Sequence, residues 1–208
     1  MYQLHMSDVP PREHPGYERV GEFTPNQNPS TKSLLTFIPE VNVNVNRRGS
    51  HTYIIDVDGV IKKIGSSRMK LRDYAGYGVG NGGRPSIRTT GIHYKIAKEL
   101  ARGKKVTFHV KMCPTATAEY TDLSGNVRHE EVTIEARNIE TREIAVYVEI
   151  NGSVPAWNMQ EQGRHGDWCP ELVRIHQAIC ARELIPFEES HRESIYMMLY
   201  HSKHTPAS

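Results

Sequence analysis

The chain has 208 residues, 38% hydrophobic and 24% charged, enough for one domain with additions whose core needs no disulfide or metal merely to fold. No apolar run approaches the roughly 20 residues that span a bilayer, and Cys113, Cys169 and Cys180 are too few and odd in number for a disulfide framework. The net charge of +2 hides a division: Lys62 to Lys111 holds thirteen Lys or Arg against Asp73 and Glu99, whereas Ala118 to Glu149 holds eight acids against Arg128, Arg137 and Arg142.

The opening MYQLHMSDVPPREHPG lacks the basic-then-apolar order of a secretory signal, so a reducing cytoplasm is the expected setting. Residues 1–30 carry five prolines without a clear period and read as an irregular arm. LLTFI (34–38) is a short apolar run, and VNVNVN (41–46) alternates strictly, which predicts an edge strand or arm strand. HTYIIDV and VIKKIG flank Asp58-Gly59, the pair favoured in a type I′ turn, and predict a β-hairpin. SSRMKLRDYAGY reads as a helix with Ser66 or Ser67 as its cap, stopping in GYGVGNGG. IHYKIAKELARG (92–103) is a second helix ending at Gly103, and VTFHVKM (106–112) a third strand. YTDLSGNVRHEEVTI predicts another hairpin around Ser124-Gly125-Asn126, followed by a helix from about Ala136 to Ile150. Helices from Pro170 to about Arg182 and from Glu188 to about Tyr200 complete the chain. Hairpin, helix, helix, strand, hairpin, helix is not the alternation of a doubly wound parallel sheet, so the expected class is α/β of the α+β kind.

IIDVDGV resembles the first motif of haloacid-dehalogenase-type phosphatases, with Asp56 as nucleophile and Asp58 as acid and base. That chemistry needs the nucleophile at the end of a parallel strand, and here the Asp pair falls in a hairpin turn, where Asp and Gly are common anyway.

A different resemblance runs through residues 50 to 160. His51-Thr52-Tyr53, then Lys63-Ile64-Gly65, then Met69-Lys70-Leu71-Arg72, then EIAVYVEINGSVPAWNMQ (143–160) occur in the order and spacing of the GIY-YIG endonucleases. IHYKIAKELARGKKVTFHVKMC is similar to the family's second helix and third strand, and the far end is similar to phage endonuclease II-like and restriction-type members. The resemblance implies a small three-stranded antiparallel sheet flanked by helices, spanning 48–162 with a hairpin insertion at about 114–133, an N-terminal arm (1–47) and a C-terminal helical extension (163–208). It also implies Mg²⁺-dependent (or Mn²⁺-dependent) hydrolysis of duplex DNA at a specific site, and a homodimer to cut both strands of a symmetric site.

By the same resemblance Glu143 is the metal ligand, Arg72 contacts the scissile phosphate, Tyr53 and Lys63 activate and orient the attacking water, and Asn158 fixes the loop or a metal-bound water. These types suit the chemistry. Mg²⁺ keeps most of its waters and is anchored by as little as one carboxylate; arginine offers a forked donor set to a phosphate; a lysine beside other cations loses its proton more easily. Plainer readings stand beside each: an exposed helix acid paired with Arg142 for Glu143, a surface arginine for Arg72 with Arg68 as its substitute, a half-buried strand aromatic for Tyr53, an Asx turn for Asn158. Tyr77 is an auxiliary candidate, because the family's His or Tyr one turn after the helical Arg falls on Gly76; His93, near the start of the second helix, is another, to assist the leaving group, with a helix-terminal surface residue as the plainer reading. The basic block supplies the candidate DNA contacts Arg68, Arg84, Arg88, Lys95, Lys104 and Lys105, unless it is only a solvated face.

Gly78-x-Gly80-x-x-Gly83 follows a helix and precedes Arg84-Pro85, so it does not open the helix that a dinucleotide fingerprint requires. His165-x3-Cys169 and His176-x3-Cys180 offer four ligand types for a structural Zn²⁺, with packed core residues as the commoner use. The alternative to an endonuclease is a non-catalytic DNA-binding protein on the same fold.

Overall fold

A computed structural model of the chain describes residues 14–26, 34–47, 49–68, 70, 85–158, 168–181 and 183. The elements in order are β1 (Glu18–Pro25), β2 (Leu35–Pro39), β3 (His51–Val57), β4 (Val60–Ser67), α1 (Ile87–Ala101), β5 (Val106–Met112), β6 (Thr115–Thr121), β7 (Val127–Thr133), α2 (Ala136–Asn151) and α3 (Pro170–Ala181). The class is α+β, as expected. The expected trio β4-β3-β5 lies inside a five-stranded antiparallel sheet of order β2-β1-β5-β3-β4.

Of the two additional strands, β1 comes from the stretch read as irregular and β2 from the apolar run LLTFI. In β1, Val20 and Phe23 are buried, but a bulge between Arg19 and Gly21 breaks the period-2 pattern that would have marked it as a strand. VNVNVN, by contrast, forms turns. Val41 is 97% exposed, and the Asn44 side chain accepts from the Asn46 backbone N–H, so asparagine turn chemistry overrides the alternation. Ser66 and Ser67 close β4 rather than capping a helix; the helix expected after them lies outside the described residues, as does the one from Glu188.

The β3–β4 turn has φ of 50° at Asp58 and 82° at Gly59, the signs of a type I′ turn. Both aspartates of the phosphatase motif serve it. Asp56 Oδ1 accepts from Gly59 N–H at 2.7 Å, and Asp58 Oδ1 accepts from Lys105 N–H at 2.9 Å. With antiparallel neighbours on β3 and these partners, the pair is a turn device and the phosphatase reading fails.

Direct cross-strand partners share a face, so the ladder sorts the sheet into two sides. Tyr53, Ile55 and Val57 with Phe108 and Val110 form the main core beneath α1 and α3, contributed by Ile92, Ile96, Leu100, Leu172, Ile175 and others. The other side carries Ile54 and Ile64 beneath Ile144 of α2. Burying the main side of the sheet supplies most of the hydrophobic stabilisation.

Gly65 lies opposite Tyr53, and a Cβ there would overlap the phenol ring at Cζ and Oη. Tyr53 is 6% exposed and packed on Phe108 at 5.3 Å, so it has nowhere to retreat. Gly65→Ala is expected to destabilise by about 1–3 kcal/mol through overpacking. In urea unfolding, the combination with Tyr53→Leu should recover a good part of that loss; strict additivity of the two changes would refute the contact.

Candidate functional site

The α2 side of the sheet is buried yet polar, which sets it apart. Reading along β5, Thr107, His109 and Lys111 all point to it; from β3 come Thr52 and Asp56, partners of Lys111 and Thr107. Its apolar part is the small core of Ile54 and Ile64, with Ile61 packed beside them. Buried polar groups require partners, and here they fall into two clusters.

The first cluster is His14, Asp56, His109 and Thr107. His14 Nε2 lies 3.0 Å from Asp56 Oδ2, His109 Nε2 lies 2.9 Å from Thr107 Oγ1, and the two imidazoles meet edge to face at 4.7 Å. Burial, and then the neighbouring His14, pull the His109 pKa down from 6.5 to about 4. The unfolded chain therefore binds a proton at this residue that the folded chain refuses between pH 6.5 and 4. Its contribution to stability is complete above pH 6.5 and is lost as pH falls toward 4. Discounted for partial solvation, the loss is on the order of 2 kcal/mol. Urea unfolding at pH 7.5 and 4.5 should show a pH difference smaller by that amount in His109→Gln than in the parent; equal differences would remove His109 from the account.

The second cluster centres on α2. Glu140, Glu143, Ile144 and Tyr147 recur at helical spacing and form its inner face, with Ile144 in the small core and Tyr147 Oη donating to Ile61 C=O. Gly152, at φ 73°, terminates the helix. Lys111 Nζ donates to Glu143 Oε1 at 2.8 Å, with the two side chains 35% and 28% exposed. Ser66 Oγ donates to Glu140. Tyr17 reaches in from just before β1: its ring lies 5.5 Å beneath Lys111 Nζ, and its hydroxyl is 3.1 Å from Thr52 Oγ1. Burial raises the Tyr17 pKa to about 12; the Thr52 hydrogen bond works against this, and the charges of Glu143 and Glu140 add to it. The phenol therefore stays protonated near neutrality and is a hydrogen-bonding group rather than a base.

The site thus gathers two carboxylates, two hydroxyls, a phenol and one ammonium, half open to solvent. The donors that could hold a metal are all oxygen, which fits a hard divalent cation and not a thiophilic one. No three His, Cys, Asp or Glu residues come together as a ready metal cage among the described residues, and Mg²⁺, which is content with one or two carboxylates and its own waters, does not need one.

Among the described residues of the expected constellation, Glu143 alone lies in this cluster. Tyr53 and Lys63 do not join it: Lys63 pairs with Ile55, so both lie on the main-core side, diagonal to one another rather than face to face. The register thus puts them on the side of the sheet away from the Glu143 cluster, since one residue along a strand reverses the side. Asn158 is 1% exposed; its Oδ1 accepts from Ile64 N–H at 3.0 Å and its Nδ2 donates to Ile64 C=O at 2.9 Å. With Trp157 N–H donating to Lys62 C=O at 2.8 Å, this segment occupies the outer edge of β4 as an additional strand would. Asn158 ties its segment to the edge of β4. His93 is buried in the core, where its Nε2 accepts from Leu34 N–H at 3.2 Å, so it does not face a leaving group. Arg72, Tyr77 and Arg84 lie outside the described residues.

Of the basic candidates, Arg68 pairs with Glu135 at 2.9 Å, Lys104 with Glu99 at 3.1 Å and Lys105 with Glu22 at 3.4 Å; Arg88 is exposed on α1 and Lys95 half-buried. His165 lies outside the described residues, while His176 Nδ1 sits 3.0 Å from Thr90 Oγ1, and Cys180 Sγ lies 3.7 Å from His176 Nε2.

Sequence reasoning missed Lys111, Tyr17, Glu140, Ser66 and Thr52. Two signals were present: the polar alternation Thr107, His109, Lys111 in an otherwise buried strand, and Glu140 one turn before Glu143. Tyr17 had none, because only the folded sheet brings it near.

No family model matches the chain, and no curated protein matches it. Similar solved structures include the following two. One is a mutant of bacteriophage T4 EndoII, at a TM-score of 0.42 and 17% identity over 68% of this chain and 91% of that one. The other is the restriction endonuclease HPY188I in complex with product DNA, at 0.38 and 18% over 67% of this chain and 78% of that one.

Proposed function

We propose that this chain is a divalent-cation-dependent DNA endonuclease whose cation is anchored by Glu143. The observation that carries the reading is the half-buried Glu143 carboxylate held against Lys111, with Glu140 one turn away, beside the polar side chains of β3 and β5. The resemblance of residues 50–160 to GIY-YIG enzymes and the basic block from Lys62 to Lys111 point to the same substrate.

A bound Mg²⁺ supplies an acidified water and neutralises charge on the phosphoryl oxygens. The chain does the rest. Glu143 is the ligand; Glu140, oriented by Ser66, accepts hydrogen bonds from water held there. Lys111 places a positive charge where a phosphate oxygen arrives, and neutral Tyr17 supports it from below. Arg72 is assigned the scissile phosphate from its sequence position alone. Site specificity and a homodimer belong to the same proposal, through the N-terminal segment, the β6–β7 hairpin and the C-terminal helices.

One observation favours the second reading, a DNA-binding protein without catalysis: Tyr53 and Lys63 turn away from Glu143. Incubation with supercoiled plasmid separates the two. The endonuclease nicks or linearises it in Mg²⁺ and leaves it intact in EDTA. Binding that retards the plasmid, with no cutting in Mg²⁺ or Mn²⁺, would establish the second reading instead.

A further inference from the structure

We propose that Lys111 is a positioning residue that holds Glu143 in the cation-free protein and yields that carboxylate when a divalent ion binds. The site then exchanges an ammonium–carboxylate pair for a metal–carboxylate pair. The inference rests on the reading of Glu143 as the metal ligand.

Three features of the geometry support it. Lys111 Nζ sits 2.8 Å from Glu143 Oε1, in the space an ion bound to that oxygen would claim. Two cations cannot share one carboxylate at that range without strong repulsion. The lysine also has somewhere to remain after release: the face of Tyr17 lies 5.5 Å from Nζ, and the Tyr17 phenol, with its pKa near 12, stays uncharged. Finally, β5 fixes the root of the lysine opposite Thr52 in the middle of the sheet, so its ammonium moves within a short arc and is not lost to solvent. A charge displaced from Glu143 is delivered beside it, where a phosphodiester oxygen would be.

Mn²⁺ binding without DNA, read as the loss of the free-ion electron paramagnetic resonance signal, tests this on the intact chain. Removing the competing ammonium in Lys111→Met should tighten Mn²⁺ binding about fivefold, the range of a partly exposed ion pair. Lys111→Gln should do the same, and Lys111→Arg, which keeps the charge, should not. Circular dichroism confirms that each variant is folded, and two neutral variants keep the test open if one fails to fold. Mn²⁺ affinity unchanged or weakened in both neutral variants overturns the role of Lys111 while leaving Glu143 as ligand. Unaltered Mn²⁺ binding in Glu143→Gln instead overturns the ligand assignment itself.

Discussion

Glu143→Gln is expected to lower Mg²⁺-dependent cleavage of plasmid DNA by at least about 100-fold, the scale of losing a metal's protein anchor or its direct support. Glutamine preserves volume and one acceptor oxygen but removes the charge. Because the Lys111–Glu143 pair is partly exposed, its loss costs folding stability only about 0–1 kcal/mol. DNA retention in a gel-shift assay should stay within a few-fold, since no candidate phosphate contact is altered. A variant that cuts at the parental rate would remove Glu143 from the chemistry; one that neither cuts nor folds would show a structural role instead, and the near-unchanged melting temperature expected here separates those cases.

The second large effect concerns stability. Asn158→Ala is expected to destabilise the protein by about 2–4 kcal/mol, because it strips partners from both the N–H and the C=O of Ile64 where no water replaces them. For a chain of this length that corresponds to a fall of roughly 5–15 °C in Tm. Cleavage per folded molecule, measured well below the new Tm, should remain within a few-fold of the parent. That combination separates a tie at the β4 edge from a metal or water ligand, whose loss would do the reverse. Asn158→Asp should also destabilise at neutral pH, because a carboxylate would face the Ile64 carbonyl.

What the sequence made legible was mostly local. Asp58-Gly59 announced its turn because few residue pairs accept two positive φ values; Gly103 and Gly125 marked a helix end and a hairpin loop through their own positive φ. VTFHVKM and the segment from Ala136 read correctly because their periods are clean. β1 did not, since its bulge at Arg19/Gly21 and the proline at its end resemble loop composition, and VNVNVN misled because asparagine side chains compete for the backbone. The site was half legible. Glu143 and Asn158 drew attention from their surroundings, but side of the sheet is a property of register, and register joins Thr52 to Lys111 across nearly sixty positions of chain. No local pattern reports that pairing. The pairing puts Tyr53 and Lys63 on the side away from Glu143, while Lys111 and Tyr17 went unnoticed.

The placement of the cation on the α2 side of the sheet is what everything else depends on, and a crystal soaked in Mn²⁺ reads it directly. The account expects an anomalous difference peak at coordination distance from the Glu143 carboxylate, close to Glu140 and Ser66, with the Lys111 ammonium moved off Glu143 toward the Tyr17 ring. A peak on the opposite side, coordinated near Tyr53 and Lys63 with Lys111 still paired to Glu143, would contradict it.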